Sequence, residues 1–95
     1  MNKRLLDRGI ARGVEVLDAS GIETFESCEG GPGHSYSEPT VRWHGAPADG
    51  WRGLSVLLAH GLPIRRLSRT WTFDNHAAGE GPEGPYWEAT FYDKL

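Results

Sequence analysis

The sequence predicts an α+β domain of order α-β-β-α-β-β, a four-stranded, mostly antiparallel sheet with two helices on one face. Three observations lead there. Two stretches carry helical apolar spacing and each closes on a glycine. Two pairs of short, β-branched or aromatic stretches follow them. An internal echo links the halves, because Leu17-Asp18-Ala19-Ser20-Gly21-Ile22 returns as Leu57-Leu58-Ala59-His60-Gly61-Leu62. At 95 residues the chain is expected to be one domain, 1–95, with halves near 1–45 and 46–95.

The first helix is expected over residues 2–20. Leu6, Ile10, Val14 and Leu17 share one face, Asn2 suits the N-cap, and Gly21 suits a left-handed terminator. Residues 22–28 (IETFESC) read as a strand. Residues 29–39 (EGGPGHSYSEP) hold three Gly and two Pro and predict a loop. Thr40 to His44 forms the next strand. A second helix starts at Pro47, favourable in a first turn, and runs to residue 60 with Trp51, Leu54, Leu57 and Leu58 on its apolar face. Residues 64–73 and 86–92 alternate as strands, separated by a Gly/Pro-rich loop over 74–85. In element order this resembles a circularly permuted ferredoxin-like sandwich.

Composition narrows the function classes. Net charge is −3, which argues against a surface that tracks phosphates, so nucleic acid is not expected as partner. One cysteine excludes an internal disulfide and fits a reducing compartment. No apolar run reaches the ~20 residues of a membrane span, and Met1-Asn2-Lys3-Arg4 leads into a helix rather than a signal-peptide core. A cytoplasmic protein is expected. With 38% apolar residues and 13 Gly, the core is thin and leans on four Trp, three Phe and three Tyr. A homo-oligomer is expected on that ground.

Strand alternation divides the side chains between two faces. Phe25, Val41, Trp43, Leu67, Trp71, Phe73, Trp87, Ala89 and Phe91 are the predicted core. The other parity carries Thr24, Glu26, Cys28, Arg42, His44, Arg66, Ser68, Thr70, Thr72, Tyr86, Glu88, Thr90 and Tyr92. Arg, His, Tyr and Glu together suit an interface or a ligand site better than a plain wet face. The structural alternatives are a solvated face or a sheet-to-sheet dimer.

The loop offers further chemistry. Ser27-Cys28-Glu29-Gly30-Gly31-Pro32-Gly33-His34 places glycines directly after a strand, where successive N–H groups can form an anion nest or the chain can simply be flexible. Cys28 with His34, and His44 on the next strand, supplies the minimum for a nucleophilic cysteine, against the default of a structural thiol. As metal ligands, Cys28, His34 and His44, with His76 or Glu38 as a fourth, match no standard zinc spacing, and no cofactor is implied. Glu26 and Glu88 are placed to face each other, with Arg42 or Arg66 between them in an Arg–Glu network. Arg65, Arg66, Arg69 and Trp71 mix basic and aromatic types, but a strand splits them between faces.

The runs 21–34 and 38–45, with Gly61-Leu62-Pro63, Arg69, Trp71 and Gly84-Pro85-Tyr86-Trp87-Glu88, resemble a family of small proteins of tailed phages and bacteria. The resemblance covers about residues 14–92. It implies a counter-defence or host-takeover protein that works by binding. Ser27, Cys28 and Gly30 are also similar to a turn of the tRNA wybutosine-synthesis methyltransferases, but this chain is far shorter and methyl transfer is not carried over.

Together these observations predict a non-enzymatic, homo-oligomeric binding module. Ser27, Gly30, Gly31, His34, Arg42, His44, Arg66, Tyr86, Glu88 and Tyr92 are expected to hold a small anionic ligand such as a nucleotide, with aromatic rings stacking a base. The alternative is an inhibitor that binds a host protein through the same face. A small enzyme using Cys28 and His34 is the third possibility.

Overall fold

The computed structural model describes residues 8–72 and 83–95. The element order is α1 (Arg8–Ala19), β1 (Thr24–Cys28), β2 (Thr40–His44), α2 (Pro47–Ala59), β3 (Ile64–Thr72) and β4 (Glu83–Phe91). The strands form one sheet in the order β1-β2-β4-β3, every neighbouring pair antiparallel. Two helices, four strands and this order give the α+β arrangement expected from the sequence. Asn2, Leu6 and Phe73, assigned a cap and core roles, lie outside the described residues, as does most of the 74–85 loop. Among the described residues no helix is long and apolar enough to cross a membrane.

The repeated hexapeptide is a repeated structure. Gly21 N–H donates to the Asp18 carbonyl and Ile22 N–H to Leu17; Gly61 N–H donates to Leu58 and Leu62 N–H to Leu57. These are the two bonds of a Schellman motif, and both glycines adopt the positive φ it needs, 79° and 69°. Each helix therefore stops and turns into its strand by the same local chemistry.

The core lies between helices and sheet and gathers Ile10, Val14, Val16, Leu17, Val41, Trp43, Leu57, Trp87, Ala89 and Phe91. α1 fills it as its spacing predicts. α2 does not, since Trp51 is 61% and Leu58 57% exposed. Its buried face is Gly50, Gly53 and Leu57. The glycines let the helix backbone rest on two indoles: a Cβ on either would stand less than 3.0 Å from Trp87 (at Gly50) or Trp43 (at Gly53). Both indoles also donate upward, Trp43 Nε1 to the Asp49 carbonyl and Trp87 Nε1 to Ala46, each at 3.1 Å. Buried Trp N–H groups need such acceptors, and the first turn of α2 supplies them.

Two further core assignments change. Trp71 is 51% exposed, because β3 is an edge strand and its register against β4 shifts between Thr70 and Thr72, at Trp71 itself. Phe25 leaves the core through a β-bulge: Thr24 pairs with Trp43 and Glu26 with the next residue, Arg42, so Phe25 is the extra residue. The bulge turns Thr24 inward, where it is buried, and sends Phe25 to the opposite face.

Candidate functional site

The face away from the helices is built around three residues in register across three strands, Glu26 on β1, Arg42 on β2 and Glu88 on β4. Directly opposed side chains on one sheet face meet. Arg42 Nε donates to Glu88 Oε1 at 2.8 Å, its Nη2 reaches the same oxygen at 2.7 Å, and its Nη1 donates to Glu26 Oε2 at 3.1 Å. This is the Arg–Glu network expected of Glu26 and Glu88, with Arg42 as the bridge. Two rings enclose the guanidinium, Tyr36 at 4.8 Å and Tyr86 at 5.0 Å. Burial works to lower the Arg42 pKa; the hydrogen bond to Glu88 and the surrounding negative groups outweigh it and hold the guanidinium above its ordinary value.

Tyr36 comes from the 29–39 loop, which folds back over the sheet. Its hydroxyl donates to Glu26 Oε1 at 2.6 Å. Ion pairs tie down both ends of the loop, Glu29 to Lys94 and Glu38 to Arg65. Gly30 needs its positive φ of 79° and its missing Cβ, because it passes against the backbone of Glu38 and Pro39. The N–H groups expected to form an anion nest bond within the loop: Gly30 to Cys28 Sγ, Gly31 to the Tyr36 and Ser37 carbonyls, His34 to the Gly31 carbonyl. The run is a closed Ω-like turn rather than an open nest.

The loop predicts a measurable pH dependence. Burial, then the hydrogen bond to Glu26, push the Tyr36 phenol well above its ordinary value near 10, against the pull of Arg42. An acid whose folded pKa is raised contributes stability that is full below the unfolded value and lost as pH rises above about 10. Tyr36→Phe should cost about 1 kcal/mol at pH 8, one hydrogen bond at a partly exposed site, and the gap should narrow as pH rises beyond 10. Urea midpoints at pH 8 and pH 10.5 test this; a gap that widens at the higher pH would contradict it.

Beside the network stands an aromatic cluster. Phe25 stacks on His44 at 4.1 Å, and both meet Tyr86 edge-on. They cover Tyr86, which is buried rather than open as expected. Phe25 and His44 also wall a cleft of about 530 Å³ that continues along Gly21–Thr24 to Asp49 and Arg52 at the start of α2. Arg52 donates to the Ser20 carbonyl at 2.9 Å and pairs with Asp49 at 3.5 Å, both side chains well exposed.

Of the sequence-predicted site residues, Arg42, His44, Tyr86 and Glu88 come together here. Ser27 does not: it pairs with core residue Val41 and so has the helix-side parity. Gly30, Gly31 and His34 belong to the loop. Arg66 sits on outer strand β3 opposite Thr90 and makes no ion pair among the described residues, while Tyr92 lies past the end of β4, exposed. Cys28 is buried, its sulfur accepting from Gly30. That is the packing of a structural thiol. Among the described residues no three His, Cys, Asp or Glu side chains gather to hold a metal ion, and His76 lies outside them.

The site also contains Phe25, Tyr36, Asp49 and Arg52, which sequence reasoning left out. Tyr36 had a legible signal, a lone aromatic in a Gly/Ser/Pro loop that must find something to cover. Arg52 had one too, as the sole cation of α2. Phe25 had none, since a bulge leaves no mark on alternation. No protein-family model matches the chain, and no curated protein or solved structure matches it either.

Proposed function

We propose that the protein is a non-enzymatic binding module that holds a small molecule with a planar ring and an anionic group, such as a nucleotide, in the cleft between β1, β2 and α2. One observation supports this reading most directly: an exposed aromatic pair and a guanidinium flank a space of about 530 Å³, within the usual range of small-molecule sites, roughly 300–1,000 Å³. Arg42, the cation first expected to meet the anion, is already met by two carboxylates. Arg52 is the better partner. Its pair with Asp49 is long and exposed, so exchanging Asp49 for a phosphate costs about 1 kcal/mol or less. Glu23 and Asp49 on the cleft wall then suit the hydroxyl or amino donors of a nucleoside. In the phage setting that the sequence resemblance implies, such holding would sequester a nucleotide signal.

An NMR titration of the labelled protein with AMP, adenosine and ribose 5-phosphate tests this. AMP should shift the amides of Thr24, Phe25, His44 and Arg52 saturably, and the two fragments should do so more weakly. Phe25→Ala and Arg52→Ala should each weaken AMP about tenfold, near 1.4 kcal/mol. If no nucleotide in a broader panel moves these amides, the reading fails.

A second reading is contact with a protein, as an inhibitor of a host protein would make. It is favoured by Trp51, Leu58, Trp71 and Tyr92, all more than half exposed. Large apolar side chains of this kind mark interaction surfaces when they cluster.

A further inference from the structure

Among the described residues, the hydroxyls of Tyr86 and Thr90 are buried without a hydrogen-bond partner. Buried hydroxyls are ordinarily paired, and one left bare raises the free energy of the folded chain. Thr90 pairs with Thr40, away from the cleft, whereas Tyr86 pairs with His44, which walls it. The Tyr86 ring stands at 80° to Phe25 and 88° to His44, with centroids 5.2 and 6.5 Å away. It therefore forms a floor across the edges of two nearly parallel rings that lie 4.1 Å apart. Both rings of that stack line the cleft. Both are surface side chains, His44 at the end of β2 and Phe25 at the bulge of edge strand β1.

We propose that Tyr86 selects the ligand of this cleft: the ligand's planar ring enters between Phe25 and His44, and the Tyr86 hydroxyl hydrogen-bonds a nitrogen or oxygen on the ring's edge. The inference rests on the small-molecule reading above and names the group that reads the ring. A ring between Phe25 and His44 lies parallel to both, so it turns an edge to Tyr86 as they do. Entry requires Phe25 to move outward by one ring thickness, about 3.5 Å. Exposed side chains make such rotations within nanoseconds. Phe25 then stacks on the ligand instead of on His44, so the aromatic contact is kept. The hydroxyl gives the new bond its weight. An ordinary polar group surrenders a bond to water when it meets a ligand, whereas Tyr86 has none to surrender. Arg42, Glu26 and Glu88 do not take this role, because they are bonded to one another and to Tyr36. A phenol both donates and accepts. The site therefore takes a ring with a polar edge, as a nucleobase has, in preference to a bare hydrocarbon ring carrying the same anion.

AMP and phenyl phosphate separate these features, since both carry a ring and a phosphate but only AMP has nitrogen atoms on its ring edge. NMR titration of the labelled full chain should show Tyr86→Phe weakening AMP about tenfold, near 1.4 kcal/mol, and leaving phenyl phosphate unchanged. The same substitution should hold the thermal midpoint in place or raise it, since it removes a buried hydroxyl that bonds to nothing in the free protein. A lowered midpoint would mean that the hydroxyl has a partner inside the protein, and it overturns the proposal. So does an AMP affinity that Tyr86→Phe leaves intact, or an equal loss for the two ligands; the small-molecule reading survives each of these results. If no nucleotide of the panel binds the wild-type chain, both fail.

Discussion

Gly53→Ala should destabilise the domain by about 2 kcal/mol, although alanine is the better helix former. Helix propensity alone predicts a gain of about 1 kcal/mol. The added methyl, however, would lie less than 3.0 Å from the Trp43 indole, a fully buried ring with no room to retreat. Overpacking of a tight core costs about 1–3 kcal/mol. Here the helix also cannot slide away without stretching the bonds from Trp43 to the Asp49 carbonyl and from Trp87 to Ala46, each worth about 1 kcal/mol. Gly50→Ala should behave alike through Trp87. Urea denaturation would measure both. A Gly53→Ala variant more stable than wild type would show that α2 floats on the sheet rather than being seated on the indoles. Combining Gly53→Ala with Trp43→Phe should cost less than the sum of the single changes, because the smaller ring vacates the space the methyl needs.

Arg42→Ala should cost about 2–3 kcal/mol at neutral pH. Removing one member of a buried ion pair ordinarily costs about 3–5 kcal/mol because the other charge stays buried and unmet. Arg42 and Glu88 are each only 15% exposed, whereas Glu26 is more open, which moderates the loss. Adding Glu88→Gln to Arg42→Ala should recover part of the loss, and Arg42→Lys should fall short of wild type because an ammonium cannot reproduce the guanidinium fork. A Glu88→Gln change that recovers nothing would mean that Arg42 acts through packing between Tyr36 and Tyr86 rather than through its charge. Urea denaturation of these variants at neutral pH distinguishes the two.

Much of the architecture was legible because it depends on neighbours in the chain. Ile10, Val14 and Leu17 repeat with helical spacing and are buried as that spacing requires. Gly21 and Gly61 end their helices through a motif that needs only six consecutive residues. The central strands behave likewise: Val41, Trp43, Trp87, Ala89 and Phe91 alternate and face the core as written. Arg42, His44, Tyr86 and Glu88 were correctly placed on one face, since the period of two holds for any strand without a bulge. These features follow from backbone geometry, and the sequence by itself determined them.

The remaining features depended on residues far apart in the chain. α2 looked amphipathic through Trp51, Leu54, Leu57 and Leu58, yet the helix lies on its glycines, because only a side without Cβ atoms lets the backbone approach Trp43 and Trp87. A hydropathy pattern scores glycine as neutral and cannot see an indole contributed by another strand. The bulge at Phe25 reversed two assignments at once, and it arises from pairing with β2 rather than from the 24–28 segment itself. Tyr36 closed over Arg42 because two carboxylates from β1 and β4 had already drawn the guanidinium there. The local chain decided which elements form and which way their regular stretches face. Only tertiary structure decided which of those faces was covered, because cover is supplied by partners that no local pattern specifies.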